Sequence, residues 1–257
     1  MNSAADTLAR GWTLHQQGNL ASAEQTYRQV LQKSPGDANA WCYLGIVCHD
    51  QGRLDEAASS YRKAIQLHPN FPRAYNNLGN TLGMQRRLKE SLACFDHALA
   101  LDPNYLNAHK NKGMTLFWEG FIDEAVRCYE SALRLDPDDA ESHKNLGVVR
   151  LLQGQFEQGW PEYEWRWRTE ASSPPKIDVP MWDGSPLDGR TILLTAEQGF
   201  GDTMHFIRYG AELKRRYECR VVAACQRPLL PLLRSCPGID QLVGQNEPPP
   251  VCDVYAP

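Results

Sequence analysis

Nothing in this 257-residue sequence approaches the ~18 consecutive apolar residues that a membrane-spanning helix needs. An apolar signal core is missing as well, because Asp6, Arg10 and His15 already interrupt the amino terminus. Charge of neither sign dominates: 27 lysines and arginines face 31 aspartates and glutamates, a net of −4. That balance excludes a polybasic nucleic-acid binder and an acidic disordered tail. The eight cysteines form no C-x-x-C pair and no zinc-ribbon spacing, which speaks against a metal site. In a chain of this length they read as reduced, packed thiols and point to the cytoplasm. With 42% hydrophobic and 23% charged residues, the sequence has room for one large soluble domain or two small ones.

What the sequence does have is a period. Glycine falls at Gly11, Gly45, Gly79, Gly113 and Gly147, each 34 residues after the last. The same step links Pro35, Pro69, Pro103 and Pro137, and the aromatics Tyr27, Tyr61, Phe95, Tyr129 and Tyr163. Small residues mark a fourth phase at Ala23, Ala57, Ser91, Ala125 and Gly159. Each unit reads as two helices. Trp41, Leu44, Gly45 and Cys48 lie on one face of a first helix. Gly52 breaks it, and Leu54, Ala57, Tyr61 and Ala64 form the apolar face of a second, ended by Pro69. The glycine marks the close approach of the two helices. One such hairpin cannot bury its own face, so the units must stack.

The pattern W-x-x-L-G … G-x-x-x-x-A-x-x-x-Y-x-x-A-x-x-x-x-P resembles the tetratricopeptide repeat of bacterial proteins. Four units fit, at 4–37, 38–71, 72–105 and 106–139, with a degenerate fifth at 140–168. The fifth keeps Leu146, Gly147, Gly154 and Tyr163. It then departs, with Arg166 at a small-residue position and the aromatic run Trp160, Tyr163, Trp165, Trp167. The fold class expected is mainly α: an α-solenoid followed by a partial α/β Rossmann-like unit. The resemblance implies a concave groove, lined by the first helix of each unit, that binds a peptide or protein partner.

On that face Asn77, Asn111 and Asn145 recur 34 residues apart, preceded by Asn76, Lys110 and Lys144; Asn80, Arg73 and Asn107 lie on the same side. A carboxamide both donates and accepts, so it pairs with a peptide backbone whatever the side chains are. The column resembles the asparagine ladder of O-GlcNAc transferases. The competing reading is a merely solvated polar face. His109 and His143 stand where other units carry Trp41 and Tyr75 and are expected to be packed ring substitutes. Cys94 and Cys128 share a repeat phase and are expected to pack rather than react.

After Arg168 the helical period stops. Residues 169–190, with turns at Ser172–Pro175 and Asp183–Pro186, read as a linker packed across a surface and anchored by Trp182. Then 191–257 reads as the opening of a parallel sheet. Its parts are a strand at 191–195, a glycine loop, a helix from Thr203 to Tyr217, a strand at 220–224, a short helix from Pro228 to Leu233, a strand at 239–243, and the start of another at Val251–Tyr255. Gly199, Gly201 and His205 mark the loop where such sheets bind ligands; no Walker lysine follows.

This segment, including G-F-G-D and P-G-I-D-x-L-V, resembles the amino-terminal domain of heptosyltransferase-like GT-B glycosyltransferases. The resemblance implies that Asp202 is a general base, with His205 and Arg208 near the same mouth. It also implies a nucleotide-sugar donor held mainly by a second sheet domain. The residues after Arg190 are too few for two sheet domains of about 150 residues each. The chain by itself is therefore expected to hold no cofactor, to leave a sheet edge unpaired and an apolar sheet face uncovered, and not to be a competent transferase. The leading reading is a scaffold for a protein or peptide partner, with no nucleic acid and no membrane. The alternatives are the front part of a glycosyltransferase, and an oligomerisation module docking through Trp160, Trp165 and Trp167.

Overall fold

The structure is a computed structural model that describes residues 4–169, 177–197 and 199–256. The chain divides into two compact units, Met1–Ser173 and Pro174–Pro257.

In the first unit the 34-residue step becomes helix pairs: α1 (Ala4–Gln16) with α2 (Leu20–Lys33), and α3 (Ala38–Asp50) with α4 (Leu54–Leu67). They continue with α5 (Pro72–Met84) and α6 (Leu88–Leu101), α7 (Leu106–Trp118) and α8 (Ile122–Leu135), then α9 (Ala140–Leu152) and α10 (Phe156–Tyr163). Their glycine and aromatic columns are one steric device. A Cβ at Gly11, Gly45, Gly79 or Gly113 would meet a ring carbon of Tyr27, Tyr61, Phe95 or Tyr129 at 2.5, 2.6, 2.7 and 2.9 Å. Those rings are buried, so the missing Cβ is what lets the two helices of a hairpin close.

Two further columns complete the unit. The turn between paired helices needs a left-handed residue, supplied by Gly18, Gly52, Gly120 and Gly154; the third unit puts Arg86 there, at φ 61°. The expected ring substitution at His109 and His143 has a physical basis in a ring N–H. Trp41 Nε1 donates to the Pro35 carbonyl at 2.9 Å, and His109 and His143 place Nε2 at 3.0 and 2.8 Å from the carbonyls of Pro103 and Pro137. Neighbouring units are also tied by side chains, as where Gln85 Nε2 donates to Asp55 at 2.8 Å and Gln153 Nε2 to Asp123 at 3.1 Å.

The fifth unit closes differently. A Cβ at Gly147 would lie 2.4 Å from the backbone nitrogen of Tyr163 instead of against a ring. Here α10 stops at eight residues, with Pro161 inside it, and a 3-10 turn, Glu164–Arg168, follows. Trp165 stacks on His143 at 4.0 Å, the Arg168 guanidinium lies 4.2 Å over Trp165, and Arg166 lies 4.2 Å over Trp167. The departure from the repeat pattern is thus a terminal cap of aromatic and cationic side chains.

The second unit is a four-stranded, wholly parallel sheet of order β3-β2-β1-β4, with β1 (Thr191–Thr195), β2 (Arg220–Cys225), β3 (Gln241–Gly244) and β4 (Val254–Ala256). The expected long helix is two, α11 (Phe200–Phe206) and α12 (Tyr209–Arg216), and the third strand starts two residues later than read. Before it, Asp240 ties down the start of β2 by accepting from Val221 N at 2.8 Å. A short α13 (Leu230–Leu233) lies between β2 and β3.

Residues 177–190 are part of this unit rather than a separate linker. Met181 bridges to Tyr255, Trp182 N donates to the Tyr255 carbonyl at 2.7 Å, and Leu187 is fully buried. They also correct the expectation of an uncovered sheet face. Ile177 and Val179 pack on the cluster of Leu193, Val222, Val243 and Tyr255, while Ile192, Val221 and Val254 are buried on the opposite face with Leu187. The Ser172–Pro175 turn lies outside the described residues.

Candidate functional site

The first helices of the third, fourth and fifth hairpins each present one stripe at i, i+4, i+7 and i+11, the spacing of a single helix face. Along α5 it reads Arg73, Asn77, Asn80, Met84; along α7, Asn107, Asn111, Met114, Trp118; along α9, Glu141, Asn145, Val148, Leu152. Each stripe is polar at the helix amino end and apolar at the carboxyl end.

The amide column is organised by a residue beneath it. Asn76 is only 4% exposed, so it does not face a ligand. Its Oδ1 accepts from Asn111 Nδ2 at 2.9 Å, and its Nδ2 donates to Asn77 Oδ1 at 3.1 Å. Two ladder asparagines on adjacent units are thus braced through one buried carboxamide, and the side-chain oxygen of Asn111 accepts no hydrogen bond among the described residues. Asn145 and Asn80 are half-buried and make no side-chain hydrogen bond among the described residues.

The cations divide. Lys110 is held by Asp139 at 2.9 Å and Glu141 at 3.3 Å, which joins the fourth unit to the fifth. Burial alone would raise the Asp139 carboxyl, but bonds from Ser142 and Lys110 outweigh it and hold the group below its usual range. Arg73 and Lys144 have no carboxylate partner among the described residues; Arg73 stacks 4.9 Å over Tyr43 and 5.6 Å over Phe71. Burial pushes the nearby Cys42 thiol up, and does the same to Cys94 and Cys128, so these thiols are protonated at neutral pH.

A second column was missed in the sequence. Met84, Trp118 and Leu152 are 60%, 70% and 68% exposed, at the same 34-residue step as the glycines. The period was there to be read; only their exposure marks them as distinct from core positions.

Among the expected docking tryptophans, Trp165 and Trp167 are half-buried in the cap and Trp160 is 53% exposed. In the second unit Gly199 opens α11 and Asp202 sits in its first turn, exposed, with Gly201 beside it. His205 Nε2 lies 3.1 Å from Arg208. No group of three or more metal-ligating side chains exists among the described residues, and no helix there is long and apolar enough to cross a membrane.

Family models described as tetratricopeptide repeat match residues 8–72 and 72–105, and one described as TPR repeat matches 113–154. This is a tetratricopeptide-repeat protein. The chain is 37% identical over 51 residues to protein FlbA of Caulobacter vibrioides, a match spanning 19% of this chain and 9% of FlbA. Among solved structures, PilW, a type IV pilus biogenesis factor, aligns over 66% of this chain and 80% of its own, at 25% identity and a TM-score of 0.60. YrrB aligns over 66% of this chain and 87% of its own, at 22% identity and a TM-score of 0.50.

Proposed function

We propose that this tetratricopeptide-repeat protein is an interaction scaffold whose groove, along α5, α7 and α9, grips an extended peptide segment of a partner protein. The observation that carries this is the braced amide column. Asn76 fixes the orientation of Asn77 and Asn111, so their remaining donors and acceptors are preorganised, and preorganisation lowers the entropy lost on binding. A purely solvated face has no need of a buried carboxamide beneath it. YrrB, which shares the fold, is described as having an unusual peptide-binding site, which fits the same use of the array.

The test is panning of a random dodecapeptide library on the full chain. Peptides are expected to be enriched, and to be lost from the variant carrying Asn77→Ala, Asn111→Ala and Asn145→Ala. Asn145→Ala alone removes no side-chain hydrogen bond among the described residues, so it weakens binding with an unchanged melting temperature. A triple variant that is folded and retains the peptides would end the proposal.

The sheet unit supports a second reading, ligand binding related to glycosyl transfer. The strand order reverses between β1 and β4, and Gly199 with the first turn of α11, which carries Asp202, follows β1 in the chain at that switch point, where parallel sheets place ligands. Hydrolysis of a nucleotide-sugar by the chain, abolished by Asp202→Ala, supports it; no hydrolysis and no nucleotide-sugar binding removes it.

A further inference from the structure

We infer that the groove takes an acidic segment in an extended, three-residue-per-turn conformation, with an apolar side chain at every third position seated on Met84, Trp118 and Leu152. This rests on the groove reading above and specifies its partner.

The two columns begin together. At the amide phase the first two units carry Ala9 and Tyr43, and at the apolar phase Gln16 and Asp50. Both phases change in the third unit and keep their character through the fifth. Two positions seven residues apart on a helix do not touch, so a shared ligand explains their changing in step better than local packing does. Seven residues at 1.5 Å each set the columns about 10 Å apart, the width of one extended chain with its side chains.

The pitch selects the conformation. Packed helices lie about 8–10 Å apart, and the bond from Asn111 to Asn76 shows that α5 and α7 meet directly. A polyproline-II segment advances about 9.3 Å in three residues, so every third side chain returns to the same column in the next unit. A β-strand returns a side chain to one face after about 6.6 Å and falls out of register at each unit.

Charge sets the sign of the partner. Arg73, one turn before Asn77 on α5, and Lys144, beside Asn145 on α9, have no carboxylate partner among the described residues, while Lys110 between them is already neutralised by Asp139 and Glu141. Two units separate these cations, about 20 Å at this packing distance, or about six residues of such a segment. Acidic side chains six apart would meet both.

The experiment reads the sequences enriched from the dodecapeptide library and their affinities for Trp118→Ala and for Met84→Ser/Leu152→Ser. These side chains are largely exposed, so the variants keep the parent melting temperature. Expected are apolar residues at intervals of three, an excess of acidic residues, and at least tenfold weaker binding to Trp118→Ala, as for a buried aromatic anchor. Binding that weakens as salt is raised completes the expected result. Enriched peptides without that spacing, or binding untouched by the apolar variants, would overturn the inference. If those peptides are still lost from the triple asparagine variant, the groove reading stands without it. If no peptide is enriched, both fall.

Discussion

The cap of the array makes a quantitative prediction through Gly147. A methyl group there would lie 2.4 Å from Tyr163 N, 2.7 Å from its Cα and 2.9 Å from the Glu162 carbonyl carbon. Ordinary contacts of this kind are nearer 3.5–4 Å, so α10 must retreat by about 1 Å, and backbone cannot swing aside as a side chain can. At Gly113 the same methyl meets the Tyr129 ring at 2.9 and 3.1 Å and Cys128 Cβ at 3.2 Å, a smaller conflict whose two tightest contacts are with a side-chain ring rather than with backbone. Alanine is favoured over glycine in a helix by about 1 kcal/mol, and overpacking costs about 1–3 kcal/mol. Gly147→Ala should therefore destabilise by about 2 kcal/mol and Gly113→Ala by about 1 kcal/mol or less. Because repeats couple only to neighbours, the loss should be confined to the cap. In urea, fluorescence of the cap tryptophans Trp160 and Trp165 should then change before helical circular dichroism does. A Gly147→Ala protein as stable as Gly113→Ala, or one that unfolds in a single step with both probes, would refute the steric account.

Arg86 occupies a left-handed turn position that other units give to glycine, so Arg86→Gly should raise stability by about 1 kcal/mol in a thermal or urea melt. The Asp139 carboxyl is held below its usual range, so its stabilisation is complete above the unfolded value near 3.8 and is lost as pH falls through the lower folded value. Asp139→Asn should accordingly be less stable than the parent by up to about 1 kcal/mol at pH 7, with the gap closing below about pH 4. Asn76→Ala strands the Asn111 amide and the Asn77 carbonyl, and should cost about 1–3 kcal/mol while also weakening peptide binding.

The repeat array was legible because its signals are local and steric. A glycine and a ring sixteen residues on, as in Gly45 and Tyr61, must face each other for one hairpin to close, and the demand recurs at every unit. Tyr163 kept that phase in the sequence, yet in the cap its backbone, not its ring, meets Gly147; Pro161 and the 3-10 turn re-aim the chain there. The allocation of 177–190 to the sheet unit was hidden for a different reason. It depends on Pro180 and Trp182 pairing with Tyr255, a contact more than seventy residues away that no local pattern encodes. In the groove, the asparagine column was visible as a period. The burial of Asn76 was not, because it follows from how close α7 comes to α5. The apolar column could have been found from the same 34-residue step, since Met84, Trp118 and Leu152 are apolar at a phase where the first two units carry the polar Gln16 and Asp50.

Amide hydrogen exchange of the full chain, with and without a peptide enriched on it, tests the groove most directly. Binding there predicts added protection in α5, α7 and α9, at 72–84, 106–118 and 140–152, and little change in α6, α8 or the sheet strands. Protection concentrated on the second helices of the hairpins, or in the sheet unit alone, would contradict the account.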